Sequence, residues 1–281
     1  MSTNLIIKDI VDRVKDVPGV ESIVLGGSRA NDTHTQASDI DIGIYYRSAD
    51  SFDIKKLDEI ALEIDDFHRE GLVTSIGGWG PWINGGGWLK VNNMPVDFLY
   101  RDLNKVSTVV EDCIAGNISI DYQPGHPHGF QNSIYFGEIA ICKPLWDPYE
   151  KIEKLKSYTV PYPKALKKAI IIQFFWEANF SLENAKKGFV INDLSYISGC
   201  FFRCASCLTQ VLFALNETFL INEKGAIKLA SRFRYTPENL EVRINGIFES
   251  ITNKQDNLYV EAEKFKKIVQ EVETLIQHKL K

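Results

Sequence analysis

No excess of positive charge runs through this 281-residue chain: 32 Lys and Arg stand against 37 Asp and Glu, a formal net charge of -5 with a pI near 5.6. A large nucleic-acid surface shows a basic stripe, so DNA and RNA are not expected partners. Cysteine is scarce and odd in number, five in all, which argues against a disulfide framework and suits a reducing compartment. No N-terminal segment combines a basic start, an apolar core and a small-residue cleavage site. No uninterrupted apolar run reaches membrane-spanning length either. A soluble, cytoplasmic protein with no membrane partner is therefore expected. Internal repeats and low-complexity tracts are also lacking. What the chain does have is 44% hydrophobic residues, ample for a buried core. Its length corresponds to about two domains of ordinary size.

The stretch from Val20 to Leu25 is rich in β-branched residues and too short for a convincing helix, so it reads as a buried strand. Gly26-Gly27-Ser28 follows it. Glycine admits positive φ and lets a ligand approach the backbone, and a helix starting after Ser28 would turn free N–H groups toward a phosphate. Asp39 to Tyr46 alternates as a second strand, with Asp39 and Asp41 on one face and Ile40 and Ile42 on the other. Two like charges that close repel each other unless a cation lies between them. Mg²⁺ fits such a pair, because it favours hard oxygen ligands and takes one or two carboxylates plus substrate phosphates. Asn93 to Tyr100 is a third strand-like run, with Pro95 near its start, where a missing N–H is tolerated. Asp97 lies between Val96 and Phe98 and should project from the face opposite to them. If this strand lies beside the Asp39 strand, three carboxylates meet at one end of the sheet. That set can hold two metal ions, or one ion and a general base, for in-line attack on phosphorus. The plainer alternatives are a cap or turn role for Asp39 and a surface position for Asp97.

Gly27-Ser28, Ser38-Asp39-Ile40-Asp41 and Val96-Asp97-Phe98, in that order, resemble the polymerase-β-type nucleotidyltransferase superfamily, in particular its small bacterial branch of aminoglycoside and lincosamide nucleotidyltransferases. The resemblance covers roughly residues 20 to 100. Beyond it, Gly125-His126-Pro127-His128-Gly129-Phe130 and Phe213-Ala214-Leu215-Asn216 are similar to a less characterised bacterial group that carries this domain ahead of a helical one. The resemblance implies transfer of a nucleoside monophosphate, AMP from ATP foremost, to a hydroxyl of a small molecule or protein, with pyrophosphate leaving and Mg²⁺ required. By position it makes Asp39 and Asp41 the metal ligands, Asp97 the third ligand or the base, and Gly27 and Ser28 the triphosphate contacts. The alternative within the same fold is a nucleotide-binding or toxin-neutralising module without catalysis, associated with a helical protein partner; a homodimer is a further association to test. Which acceptor is used does not follow from kinship of fold.

The fold class expected is α/β (α+β): a small mixed-sheet domain over residues 1–155, then an all-helical domain over 156–281. Leu5, Ile6, Ile10, Val14 and Val17 recur at helical spacing before Pro18-Gly19, and Ile54, Leu57, Ile60, Ala61, Ile64 and Phe67 mark a second helix. Residues 71–92 interleave glycines with Trp79, Trp82 and Trp88 and lead into a strand that pairs with the Asp97 strand through an Asn92-Asn93 turn. The aromatics there either close over a ligand or pack on the sheet, the second being favoured. His126 and His128 flank Pro127 in a constrained structural or substrate-contacting turn, and Glu138 is either an alternative base or an ion-paired helix residue. Four prolines between Pro144 and Pro163 mark the boundary. Helices are expected over 164–187, 193–217, 224–233, 237–251 and 256–280. Cys200, Cys204 and Cys207 fall on one face of the second of these, as core packing rather than as a zinc site. Between the two domains a cleft is expected, with Lys224 and Lys228 on a helix and Lys224 reaching the triphosphate.

Overall fold

The computed structural model describes residues 2–31, 34–35, 38–252 and 254–279. Two compact units emerge, one of Met1–Asp112 with Ser119–Pro161, the other of Cys113–Ile118 with Tyr162–Lys281. In the first, helix α1 (Thr3–Val14) leads to strand β1 (Val20–Leu25), the one-turn helix α2 (Gly27–Ala30), strand β2 (Ile40–Tyr46) and helix α3 (Ile54–Ile64). A hairpin of β3 (Gly86–Val91) and β4 (Met94–Asp102) follows, then α4 (Leu103–Ala115), whose last residues belong to the second unit. The short strands β5 (Ile120–Asp121) and β6 (Phe130–Gln131) pair with each other, and α5 (Ser133–Ile141), β7 (Lys143–Trp146) and α6 (Lys151–Ser157) complete the unit. The main sheet has the order β3-β4-β2-β1-β7, with β2 and β4 parallel and every other pair antiparallel.

Alternation along the strands decides which face of this mixed sheet is dry. Ile40, Ile42 and Ile44 of β2 and Val96, Phe98 and Tyr100 of β4 have no exposed surface and join Ile6, Ile10 and Val14 of α1 and Leu57 and Ala61 of α3 in one core. Asp41 and Asp97 lie between these residues in sequence and so emerge on the other face. At the hairpin, Asn92 and Asn93 both take positive φ, 50° and 64°, the conformation that a two-residue turn of the right twist demands.

Several element boundaries differ from the sequence expectation. Helix α1 stops at Val14, and Leu5 faces outward while Ile7 is buried in its place. Helix α3 stops at Ile64, leaving Phe67 exposed beyond it. The reason is Asp65: its buried carboxylate accepts the N–H groups of Phe67, Arg69 and Lys90 and two guanidinium N–H groups of Arg69, at 2.6 to 3.3 Å. This hub breaks the helix and ties its end to β3. The neighbouring Asp66 carboxylate accepts from the N–H groups of Asn92 and Asn93 at 2.8 and 2.7 Å, which fixes the hairpin turn. Strand β7 was not anticipated. It contains Pro144, which only an edge strand tolerates, and β7 is the edge beside β1.

The second unit is helical: α7 (Lys164–Phe189), α8 (Leu194–Leu215), α9 (Ala226–Ala230), α10 (Leu240–Ser250) and α11 (Gln255–Lys279). On α11, Leu258, Ala262, Phe265, Ile268, Val269 and Val272 are buried, the stripe its periodicity indicates. Cys204 and Cys207 are fully buried on α8 as free thiols, pushed up by burial. Among the described residues no metal-holding group includes them. Helix α8 is long and apolar enough to cross a membrane by length and composition, and 67% of its most apolar window is buried within the protein, as in a core helix.

The Arg69 guanidinium, working against the burial of the group, holds the Asp65 carboxyl well below the usual carboxylate range. A depressed carboxyl contributes stability that is complete above its unfolded pKa and is lost as pH falls toward the folded one. Asp65→Ala is expected to cost roughly 3 kcal/mol at neutral pH. In urea titrations that difference should shrink as pH drops below about 4. A difference that stays constant down to acid pH would contradict the role given to this carboxylate.

Candidate active site

The bend after β1 lies directly over the start of β2. The Gly26 N–H donates to the Asp41 carbonyl at 2.8 Å, so the backbone leaving one strand is pinned to the other. Gly27 has φ +57°, and a β-carbon there would overlap the Asp41 Oδ2. Glycine is required on both counts, and the Asp41 side chain lies against the bend. Helix α2 begins at Gly27 rather than after Ser28 and is a single turn. It is too short for a macrodipole, so phosphate contacts at this bend would come from individual N–H groups and the Ser28 hydroxyl.

The parallel pairing of β2 and β4 sets Asp41 directly beside Asp97. Residues in register on adjacent strands share a face, and here that face lies opposite the core. Burial raises the Asp97 carboxyl, and the negative charges of Asp41 and then Asp39 raise it further, to about 6. Asp97 therefore feels the charge of both other acids. Asp39 is exposed and stands one residue ahead of β2 rather than within it. It is positioned by Arg29, a buried residue of α2 that the sequence did not single out: its Nε donates to the Asp39 carbonyl at 2.9 Å and its Nη2 to the Ser38 carbonyl at 2.6 Å. Nothing in the sequence marks an arginine as buried, because the partners that permit burial are backbone carbonyls.

Oxygen donors of this kind match a hard divalent cation. The three carboxylates are not, however, drawn into a closed cage: among the described residues no group of three or more His, Cys, Asp and Glu side chains is gathered as a metal site.

Glu138 is committed to an ion pair, its carboxylate accepting from Nε and Nη2 of the buried Arg101 at 2.9 and 2.8 Å. His128 is buried, and His126 packs edge-on against Phe130 with ring centroids 5.0 Å apart and is held toward its neutral form by burial. Trp82 is a core residue, stacked on Phe130 and donating its indole N–H to Asp121 at 3.1 Å. Trp79 and Trp88 instead stack on each other, and Trp88 lies directly across from Asp97 in the β3–β4 pairing. Lys224 belongs to the second unit, where it is exposed in a turn ahead of α9 rather than on a helix; Lys228 is on α9.

Arg29→Leu should keep the aliphatic packing while removing two charge-assisted hydrogen bonds. Stability is expected to fall by about 2 kcal/mol, with faster amide exchange at Ile40 and Asp41. Exchange at those two amides indistinguishable from that of the unmodified protein would remove Arg29 from the site.

Residues 7–75 match the sequence model of the nucleotidyltransferase domain, a span that includes Gly27, Ser28, Asp39 and Asp41 and stops short of Asp97. No curated protein matches the chain. Among solved structures, the chain is similar to a nucleotidyltransferase-like protein from Exiguobacterium sibiricum 255-15, at 8% identity and a TM-score of 0.47, covering 96% of this chain and 75% of that one. The stretch that the nucleotidyltransferase domain model matches is the part of the first unit that carries the Gly26-Gly27-Ser28 bend and the Asp39-Ile40-Asp41 strand entry, and it is to that domain that this part of the chain is similar.

Proposed function

We propose that this protein transfers a nucleoside monophosphate, AMP from ATP, to a hydroxyl of a small molecule or a protein and releases pyrophosphate. The observation that carries the reading is the registry of Asp41 with Asp97 on parallel strands beside the Gly27 bend. Asp39, Asp41 and Asp97 would hold Mg²⁺, two ions in the full complement. When bound, the metal neutralises phosphate oxygens and polarises the phosphorus for attack. Gly27 and Ser28 would take the triphosphate through backbone N–H groups and the hydroxyl. Asp97 would receive the acceptor proton as the new O–P bond forms and the bond to pyrophosphate breaks.

Five free thiols fit a reducing compartment, and cytoplasmic placement belongs to the same proposal. A chain with net charge -5 is suited to a small or protein acceptor rather than to a nucleic acid.

Purified protein with Mg²⁺, α-labelled ATP and a panel of hydroxyl-bearing acceptors should label one of them and release pyrophosphate. Asp41→Asn and Asp97→Asn are each expected to lower the rate by roughly 10²–10³-fold or more, and chelation should stop it. Turnover unchanged in the Asp41→Asn protein would rule the mechanism out.

A further inference from the structure

The proposed site runs across the sheet in a fixed order. From one edge inward, Trp88 of β3 is in register with Asp97 of β4, Asp97 is in register with Asp41 of β2, and the Gly27 bend leaving β1 lies against Asp41. Directly paired residues on neighbouring strands project from the same face, so these groups form a row. The phosphate-approaching bend closes the β1 end. At the other end stands an indole that is 61% exposed.

That indole is held in place from beneath. Trp79 and Trp88 stack with ring centroids 4.4 Å apart and planes 20° from parallel. Trp79 lies close against the backbone of β3, at a position where a β-carbon on Gly86 would come within 2.8 Å of the Trp79 Cζ3. Gly86 therefore makes room for the lower ring. The Trp88 carbonyl in turn accepts from Arg69 Nη2 at 3.3 Å. Trp82, the third tryptophan of this segment, is buried in the core. Two rings of three thus build a stack whose Trp88 ring is open to solvent on the strand beside the acid.

We propose that the Trp79–Trp88 stack is the acceptor platform of the transferase, and that it selects an acceptor whose hydroxyl is borne on a ring with a flat apolar face. The proposal rests on the transfer reading above. A pyranose C–H face and a phenol ring share the chemistry an indole recognises, and a preformed stack loses little conformational freedom on binding. With its ring on Trp88, the acceptor presents its hydroxyl toward Asp97. The hydroxyl oxygen bonds to the α-phosphorus, its proton passes to the Asp97 carboxylate, and pyrophosphate leaves with the electron pair of the broken P–O bond.

The test uses the full chain with ¹⁵N-labelled tryptophan, Mg²⁺ and ATP. The probes are methyl β-D-glucopyranoside, N-acetyl-tyrosinamide and, as the acyclic control, glycerol. At about 10 mM, within the range expected for weak single-ring binding, one ring probe should shift the Trp79 and Trp88 indole signals and leave Trp82 in place, while glycerol shifts none. Which ring probe acts identifies a sugar or a phenol as the source. Trp88→Ala should raise the KM for that acceptor roughly tenfold, with the change falling on KM rather than kcat, and Trp88→Phe should restore most of it. Shifts confined to these two indoles without any pyrophosphate release would defeat the transfer reading and leave a ring-binding site. Pyrophosphate release with no indole shift, or a KM indifferent to Trp88→Ala, would overturn the platform and leave the transfer reading standing. If no probe produces either signal, the platform is likewise overturned for single-ring acceptors.

Discussion

The parallel pairing of β2 with β4 is the constraint on which the proposed site depends. It holds two carboxylates side by side on neighbouring strands, roughly 5 Å apart in backbone spacing, where repulsion at an intermediate dielectric amounts to about 3 kcal/mol. The Asp97 carboxyl is raised by burial first, and that repulsion raises it further. The opposite face of the same two strands outweighs it. Six side chains, Ile40, Ile42, Ile44, Val96, Phe98 and Tyr100, lose all contact with water there, and each contributes about 1.5–3 kcal/mol by burial. A strained polar face is thus carried by a relaxed apolar one, the usual arrangement where a fold supports chemistry.

Smaller devices bring the remaining groups to this pair. Gly27 lets the bend after β1 approach the Asp41 carboxylate, and Arg29 holds the backbone that carries Asp39. On the other side, Asp65 and Asp66 anchor the end of α3 to β3 and to the hairpin turn, which fixes the register that sets Trp88 opposite Asp97. Arg29 and Asp65 are buried polar groups whose partners are mostly backbone atoms. Such groups position their surroundings strongly because leaving any of those backbone atoms unpaired costs about as much as a lost hydrogen bond.

The same sheet face is closed further along. Arg101, two alternations beyond Asp97 on β4, is buried and pairs with Glu138 of α5, with its guanidinium 5.0 Å from the Tyr135 ring. That pair removes Glu138 from the set of available bases and leaves Asp97 as the strand acid beside Asp41. The residues that read as chemistry and those that read as structure are thus separated by what their charges meet: Glu138 meets an arginine, whereas Asp97 meets two other acids.

Much of this was legible in the residues alone. Alternation in Asp39 to Tyr46 and in Asn93 to Tyr100 determined which side chains share a face, because a strand has a period of two and no choice about it. The Asn92-Asn93 turn also determines the hairpin register: pairing Val91 with Met94 and counting outward puts Trp88 across from Asp97. Helices α7, α8 and α11 followed from long apolar periodicity. Strand β7, the burial of Arg29, the end of α3 at Asp65 and the commitment of Glu138 did not follow, since each depends on a partner far away in sequence or on a backbone atom with no residue-type signature. The sequence by itself determined the face and the order of the acids. Only the tertiary structure decided that β4 adds parallel to β2 in a register that sets Asp41 against Asp97, because strand neighbours are chosen by long-range burial and not by local pattern.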